Sequence, residues 1–162
     1  MARSSTAPRL LVRSSTIHAA GCYTLDAIRS GSHITNYDGP RISKELADER
    51  YADRPGTYLF SCGSNGDVID GFGTAMFINH SCDPNCETDV KRGRVFIRAI
   101  RNIAAGEELL YEYNLFDSDE DDADCYCGAP QCRGTMFSEE EVKRHKRRKA
   151  RKAALRRAAR KR

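Results

Sequence analysis

The chain lacks any apolar run long enough to cross a membrane, and its first residues lack the apolar stretch of a secretory signal. We therefore expect neither a membrane protein nor an exported one. Its seven cysteines are an odd number. Without an export signal, an odd number of cysteines favours a reducing compartment over a disulfide framework. We expect an intracellular protein.

Acidic residues are absent from residues 143–162, which carry 13 of the 27 Lys and Arg residues. Residues 1–142 therefore hold 14 basic residues against 23 acidic ones, a net charge of −9. An acidic body attracts basic peptides, and a basic tail attracts polyanions. The tail has high helix propensity but no apolar stripe, which predicts disorder or a helix that forms only on a partner.

A further acidic stretch covers residues 117–124, where six of eight residues are Asp or Glu. A solvated loop is the simpler interpretation of such a stretch. The alternative is an acidic lip that attracts a basic substrate through its electrostatic field.

Few helices are predicted between residues 9 and 113, where short apolar runs alternate with turn signals. This pattern indicates a mostly-β domain of small, irregular sheets. One internal helix is expected, capped by Ser43 and ending near Asp53. The sequence Ser-Asn-Gly at residues 64–66 favours a tight hairpin turn. The predicted strands cover residues 9–13, 33–37, 58–62, 67–70, 94–100 and 108–113.

Three cysteines lie close together in the segment Cys-Tyr-Cys-Gly-Ala-Pro-Gln-Cys, at Cys125, Cys127 and Cys132. Thiolates at this spacing suit three corners of a tetrahedral zinc site. A fourth ligand from a distant part of the chain would tie this loop to the domain. Cys82 is the natural donor, although Cys86 lies close enough to compete. Ordinary buried thiols are the simpler alternative.

The cysteines are part of a larger set of motifs in a fixed order. These motifs are IHAAGCY at 17–23, YDG at 37–39, NHSCDPN at 79–85, GEELLYEY at 106–113 and CYCGAPQC at 125–132. Through them, from about Arg9 to Arg133, the sequence strongly resembles the SET-domain lysine methyltransferases, including their post-SET zinc segment.

The resemblance implies a β-clip fold of small sheets with a pseudoknot, few short helices and a zinc-bound C-terminal loop. It also implies that S-adenosylmethionine binds on one face and a peptide on the other, with a narrow channel between them. The expected divisions are a flexible N-terminus at 1–8, a SET domain at 9–116, an acidic loop at 117–124, a post-SET zinc segment at 125–137 and a basic tail at 138–162.

The resemblance also assigns roles to individual residues. Tyr113 matches the family's catalytic tyrosine, and Tyr37 and Tyr111 match positions in the substrate channel. On a half-buried strand, ordinary packing is the simpler interpretation of Tyr111 and Tyr113. The expected zinc ligands are Cys82, Cys125, Cys127 and Cys132. The expected cofactor contacts are Ala20, Gly21, Cys22, Tyr23, Tyr58, Asn79 and His80.

The family carries either Phe or Tyr at the position of Tyr111. A hydroxyl group there can hold a water molecule in the space that a second methyl group needs, so we expect mainly monomethylation. Three positions depart from the family pattern: Ala19 replaces a glycine of the cofactor turn, Pro40 replaces a glutamate, and Met76 replaces an arginine. The segment at residues 70–76 is also shorter than the family's usual run before Phe77. Asn79, His80 and Tyr113 are in place, and activity is expected.

The chemistry of methyl transfer agrees with these roles. Transfer to an amine is an in-line displacement, so positioning is the main task. Neutralising a lysine amine at pH 7, from a pKa of ~10.4, costs about 4–5 kcal/mol. A dry aromatic channel lowers this cost because it disfavours the ammonium form. Tyrosine hydroxyls can aim the amine lone pair, and backbone carbonyls or water can take the proton.

The expected function is S-adenosylmethionine-dependent methylation of lysine in a basic, histone-like protein tail. One alternative is a catalytically weak SET-like module that binds basic tails and nucleic acid, and another is a zinc-dependent nucleic-acid-binding protein. Residues 143–162 can contact nucleic acid, direct nuclear import, accept methyl groups themselves or only aid solubility. The expected location is the nucleus or chromatin for a eukaryotic or host-directed protein, and the cytoplasm or nucleoid for a bacterial one.

Overall fold

The computed structural model describes residues 7–54, 56–62, 66–116 and 123–159. The strands are β1 (Leu10–Ser14), β2 (Ala20–Thr24), β3 (His33–Tyr37), β4 (Arg41–Ile42), β5 (Leu59–Ser61), β6 (Val68–Asp70), β7 (Asn79–His80), β8 (Cys86–Lys91), β9 (Arg94–Ala99) and β10 (Leu110–Tyr111). The helices are α1 (Lys44–Tyr51), a 3-10 turn (Thr74–Phe77) and α2 (Glu139–Ala159).

The strands form small sheets, as the sequence predicts. An antiparallel hairpin joins β1 and β2, and one three-stranded antiparallel sheet has the order β3-β9-β8. A second three-stranded antiparallel sheet has the order β4-β6-β5. Strand β7 pairs with β10 in parallel, although about 30 residues separate them in sequence. The prediction of a mostly-β domain of small sheets is confirmed.

The hydrophobic core lies between these sheets. Along β9, the side chains of Val95, Ile97 and Ala99 are buried and alternate with more exposed neighbours, as expected for a strand with one inward face. Ile34 and Leu109 are equally buried. The core cluster also includes the predicted channel tyrosines, so hydrophobic packing fixes their positions.

Helix α1 begins where its cap predicts and ends two residues earlier than expected. The hydroxyl of Ser43 accepts a hydrogen bond from the backbone N–H of Leu46, which satisfies one of the free donors of the first turn. At the other end, Tyr51 donates a hydrogen bond to Asp70 in β6 at 2.5 Å, and Arg50 forms an ion pair with the same carboxylate. These contacts attach the helix to the β4-β6-β5 sheet.

The predicted hairpin between residues 58–62 and 67–70 forms, with β5 and β6 paired in antiparallel. Residues 64 and 65 of its expected turn lie outside the described residues. Strand β8 was not predicted, because its sequence CETDVK lacks an alternating apolar pattern. It precedes β9 and is joined to it by a turn in which Arg92 and Gly93 both have positive φ angles, of 50° and 72°.

Helix α2 is continuous through most of the basic tail. The hydroxyl of Ser138 accepts a hydrogen bond from the N–H of Glu141, and the ring of Phe137 packs edge-on against His145 at 4.9 Å. The structure has the helical form of the tail that its composition favours, and the expected dependence of this helix on a partner stays a prediction.

The acidic stretch at 117–124 lies outside the described residues except for its last two positions. The acidic lip therefore stays a prediction. In the described part of the chain, no helix combines the length and apolar character needed to cross a bilayer.

Candidate active site and metal centre

The parallel pairing of β7 with β10 brings two of the sequence motifs into direct contact. Asn79 lies opposite Leu110, and His80 lies opposite Tyr111. The pairing continues through the N–H of Ser81, which donates to the carbonyl of Tyr111 at 3.2 Å. Two predicted cofactor residues, Asn79 and His80, therefore share one short ladder with the predicted channel residue Tyr111.

Asn85, the last residue of the NHSCDPN motif, fixes strand β10 in place. Its fully buried side chain accepts a hydrogen bond from the N–H of Leu110 at 2.8 Å and donates to the carbonyl of Glu108 at 2.7 Å. Sequence reasoning gave Asn85 no role. The available sequence signal was a polar residue, Asn85, within a recognised motif. Once such an amide is buried, it needs hydrogen-bond partners like these.

Asn79 is tied to the hairpin that contains the predicted cofactor turn. Its amide nitrogen donates to the carbonyl of Ala20 and to a carboxylate oxygen of Glu108, both at 2.9 Å. A Cβ atom at Gly21 would lie 2.1 Å from the same carboxylate oxygen and 2.9 Å from the Cβ atom of Ser15, so a larger residue would displace these neighbours. The structure therefore places Ala20, Gly21 and Asn79 together.

The other residues predicted to contact the cofactor have different surroundings. Cys22 is fully buried, and burial raises the pKa of its thiol to about 12. Its side chain therefore packs in the core, and the predicted cofactor contact would be made by its backbone. The hydroxyl of Tyr23 donates to Glu108 at 2.9 Å. The carbonyl of Tyr58 accepts a hydrogen bond from the hydroxyl of Tyr37 at 2.7 Å, which places Tyr58 beside a predicted channel residue.

Four rings form an aromatic cluster next to the β7–β10 ladder. The ring centroids of Tyr111 and Tyr113 are 5.1 Å apart, and those of Tyr37 and Phe60 are 5.2 Å apart. The rings of Phe60 and Tyr111 join the two pairs at 6.3 Å. Tyr37 and Tyr111 are almost completely buried. A lysine side chain in contact with this cluster would lie in a largely apolar environment.

The phenols of the aromatic cluster are neutral at physiological pH. Burial raises the pKa of Tyr113 to about 12, and it raises the pKa values of Tyr37 and Tyr111 well above their usual range. The Tyr113 hydroxyl donates a hydrogen bond to the carbonyl of Ile78 at 2.9 Å. These hydroxyls can therefore orient a substrate amine, but they cannot act as phenolate bases.

His80 connects the tyrosine strand to the cysteine cluster. Its Nδ1 atom accepts a hydrogen bond from the N–H of Tyr113 at 3.1 Å, so in the neutral ring the proton is on Nε2. The Nε2 atom lies 3.5 Å from the Sγ atom of Cys82. Burial, and then the charge of Arg133, lower the pKa of His80 to about 4, which keeps the ring neutral.

The sulfur atoms of Cys82, Cys125, Cys127 and Cys132 all lie within 4.8 Å of one another. The sulfurs of Cys82 and Cys125 are 3.8 Å apart. A tetrahedron with metal–sulfur distances of about 2.3 Å has sulfurs separated by about 3.8 Å, so the residues fit a zinc ion. Cys86 lies elsewhere, with its thiol donating to Asn85 at 3.2 Å, so Cys82 completes the cluster.

Backbone N–H groups in the cysteine cluster favour the thiolate form of Cys127, whereas burial raises the pKa values of Cys82 and Cys125. The N–H of Cys82 lies 3.4 Å from the sulfur of Cys127, and the N–H of Arg133 lies 3.5 Å from the sulfur of Cys82. At Cys127 burial opposes ionisation, but the N–H groups of Cys82 and Ala129 outweigh it and lower the pKa to about 6. Donors of this kind support metal-binding thiolates.

An ion pair also joins the cysteine loop to the tyrosine strand. Glu112 lies between Tyr111 and Tyr113, and its carboxylate pairs with the guanidinium of Arg133, which follows Cys132. Sequence reasoning missed this pair, because the residues are 21 positions apart and neither stands out in composition.

Comparison with known proteins supports the class that the motifs and the fold define, a SET-type domain of small sheets. The family model of the SET domain matches residues 19–114, and the chain belongs to the SET-domain family.

Two curated relatives illustrate the similarity. "Histone-lysine N-methyltransferase, H3 lysine-4 specific" from Saccharomyces cerevisiae is 42% identical over 137 residues, which cover 75% of this chain and 12% of the yeast protein. "Histone-lysine N-methyltransferase ATX2" from Arabidopsis thaliana is 38% identical over 149 residues, which cover 84% of this chain and 14% of the plant protein. The chain thus spans only a small part of these relatives.

Solved structures show the same fold. An active polycomb repressive complex 2 in the stimulated state contains a chain that matches with a TM-score of 0.64 and 25% identity, covering 70% of this chain and 16% of that one. A humanized mutant of the Chaetomium thermophilum complex matches with a TM-score of 0.60 and 27% identity, covering 67% and 15%. The similarity supports the SET fold, while the roles of individual site residues stay predictions.

Proposed function

We propose that the protein is an S-adenosylmethionine-dependent protein-lysine N-methyltransferase that acts on a basic, histone-like tail. The observation that carries this proposal is the β7–β10 ladder, which pairs Asn79 with Leu110 and His80 with Tyr111, while the N–H of Tyr113 donates to the ring of His80. A cofactor held at the first pair and a lysine held at the second would be close enough to react.

The chain's own residues would prepare the substrate amine. When bound, S-adenosylmethionine supplies an electrophilic methyl group. The aromatic cluster excludes water and disfavours the ammonium form of the lysine. Tyr113 is neutral and holds its hydroxyl near the carbonyl of Ile78, so both groups can orient the amine. Backbone carbonyls or water, rather than a phenolate, would accept the proton.

The choice of substrate follows from charge and from the relatives. The body of the protein carries −9 and attracts basic peptides. The yeast relative is named for methylation of histone H3 at lysine 4. A histone H3 tail is therefore the first substrate to examine, and the nucleus or chromatin is the expected location. Because Tyr111 adds a hydroxyl to the buried cluster, the main product would be monomethyllysine.

A structural zinc ion is part of the proposal. Cys82, Cys125, Cys127 and Cys132 would hold it, with geometry and N–H donors that suit thiolate ligands. Zinc would fix the loop at 125–132 against the tyrosine strand, since His80 and the Glu112–Arg133 ion pair already link these two segments.

Helix α2 favours a second type of contact. Most of its described side chains beyond Val142 are basic and exposed, which suits nucleic-acid phosphates. Lysines of the same segment are candidate sites of self-methylation. The alternative function, a catalytically weak module that binds basic tails and nucleic acid, uses the same surfaces without methyl transfer.

One experiment tests the proposal. The zinc-loaded protein is incubated with methyl-labelled S-adenosylmethionine and either histones, a cell lysate or no other protein, and modified lysines are mapped by mass spectrometry. We expect label on a histone tail, and a loss of about 100-fold in kcat for Tyr113→Phe with little change in cofactor affinity, because the amine loses its orientation. Cofactor binding without transfer would favour the alternative module, and no cofactor binding would contradict both the activity and the assigned site.

A further inference from the structure

Glu108 has an unusual set of partners in the described part of the chain. Its carboxylate accepts hydrogen bonds from the hydroxyls of Ser15 at 3.1 Å and Tyr23 at 2.9 Å, both at the same oxygen. The other oxygen accepts from the amide of Asn79 at 2.9 Å. The three donors are neutral and come from three separate segments, so one partly buried carboxylate connects all of them.

Two of these segments enclose the predicted cofactor turn. Ser15 follows β1, and its hydroxyl also accepts a hydrogen bond from the N–H of Ile17 at 3.0 Å, which shapes the loop at 15–19. Tyr23 lies in β2 and forms an isolated β-bridge with Glu108. Glu108 therefore contacts both ends of the loop. Its carboxylate also lies next to Gly21, where a Cβ atom would be 2.1 Å from the carboxylate oxygen.

The third partner is the side chain that starts strand β7. Because the Asn79 amide donates to both Glu108 and the carbonyl of Ala20, its orientation depends on the carboxylate and on the hairpin together. Removing the carboxylate would leave three donors without their acceptor and would allow the loop and the Asn79 side chain to move independently. Loss of a charged acceptor is among the more costly losses of a hydrogen bond.

We propose that Glu108 is a positioning residue that holds the loop at 15–19 and Asn79 in the geometry that binds the cofactor. The inference rests on the proposed function, since it assigns the loop and Asn79 to the S-adenosylmethionine site. Glu108 acts through its partners, so its removal should weaken cofactor binding more than it affects the chemical step. Preorganised sites lose affinity when their supporting residues become mobile.

The test compares Glu108→Gln, Ser15→Ala and Tyr23→Phe with the wild type. We expect Glu108→Gln to raise the Kd for S-adenosylmethionine, measured by calorimetry, by about five- to tenfold. The KM for the cofactor should rise with it, whereas kcat should stay within about twofold. Tyr23→Phe should weaken binding alone and add little in the Glu108→Gln background, since both changes act on the same hydrogen bond between Tyr23 and Glu108.

Glu107→Gln is the matched control. The Glu107 carboxylate pairs with Arg101 and accepts hydrogen bonds from the N–H of Ala104 and the side-chain amide of Asn85, away from the loop at 15–19. This variant should lose thermal stability without a change in cofactor Kd. If Glu108→Gln leaves the Kd unchanged, or if both glutamine variants weaken binding equally, the positioning role is wrong.

Hydrogen exchange separates this inference from the proposed function. In the absence of cofactor, the N–H of Ile17 should exchange faster in Glu108→Gln than in wild type and Glu107→Gln. Faster exchange confirms that Glu108 holds the loop, and unchanged exchange contradicts it. A wild-type protein that binds no S-adenosylmethionine overturns the proposed function and the cofactor role of Glu108, while the exchange result still decides what holds the loop.

Discussion

The buried phenols of Tyr37 and Tyr111 and the partly buried phenol of Tyr113 show what single residues contribute to the site. Burial raises all three pKa values, so the rings stay neutral where a lysine amine must lose its proton. Their contribution is therefore shape, dryness and hydrogen-bond direction. In the proposed reaction, the apolar environment lowers the pKa of the lysine amine, so the amine can lose its proton without an ionised base.

The same pKa shifts predict a loss of stability in alkali. In the unfolded chain a tyrosine ionises near pH 10, whereas Tyr113 in the folded protein keeps its proton to about pH 12. The folded state then holds more protons, so the stabilisation is complete below pH ~10 and is lost as the pH rises toward 12.

Urea unfolding at several pH values between 9 and 12 would measure this effect. Each such phenol contributes a fall of about 1.4 kcal/mol per pH unit in the free energy of unfolding. Tyr113→Phe should reduce the slope by about this amount. An equal slope in the variant would show that Tyr113 ionises in the folded protein as it does in the unfolded chain.

A different prediction concerns the Tyr111 hydroxyl. Tyr111→Phe removes one buried oxygen and leaves the ring in contact with Tyr113 and Phe60. We expect the variant to add two or three methyl groups to a lysine where the wild type adds mainly one, because the space next to the amine becomes larger. Mass spectrometry of a methylated peptide checks this, and efficient trimethylation by the wild type would contradict it.

At the scale of elements, the four-cysteine loop and the β7–β10 ladder form one unit. His80 lies between Tyr113 and Cys82, and Glu112 pairs with Arg133. A metal ion at the cysteines would therefore stabilise the loop and also keep one wall of the aromatic cluster in place. Loss of the metal should reduce activity as well as stability.

Cys127→Ser tests this connection. We expect loss of bound zinc and a fall of about 5–10 °C in the unfolding temperature. In a domain of this size, each kcal/mol lost from the free energy of unfolding lowers the unfolding temperature by about 2–4 °C. The kcat should fall at temperatures where the variant is still folded. Cys62→Ser, at a buried cysteine outside the cluster, should keep one zinc per chain. Full activity in a zinc-free Cys127→Ser protein would show that the loop does not support the site.

Sequence predicted those elements whose signals are local. The N-cap at Ser43 and the hairpin of β5 and β6 are of this kind, because a few adjacent residues determine them. Strand β8 was missed, since its pairing with β9 supplies what its polar sequence does not. The contacts of Asn85 and Glu108 were also missed. Their motifs were recognised, but a hydrogen bond across the fold cannot be read from spacing alone.

At the scale of the whole molecule, charge is divided between two parts of the chain. Residues 1–142 carry −9, and residues 143–162 carry +13. One surface is therefore suited to a basic peptide and the other to a polyanion. Chromatin offers both kinds of partner, so a single molecule could bind DNA through α2 while its acidic body engages a histone tail.

The salt dependence of DNA binding tests the role of α2. Lys146, Arg147 and Arg151 are exposed on the helix. Replacing all three with Gln should weaken binding to duplex DNA at low salt. Each phosphate contact contributes about −0.9 to the slope of log K against log salt concentration. The slope should therefore become shallower by about 2–3 in the triple variant.

A triple variant on the body provides the comparison. Arg29, Lys44 and Lys91 are also exposed, and replacing them with Gln removes the same charge from the other part of the chain. If α2 is the DNA-binding element, this variant should keep the wild-type slope, because its charges lie outside the contact. An equal decrease in slope for the two variants would mean that DNA binding depends only on net charge. The nucleic-acid role of α2 would then be wrong.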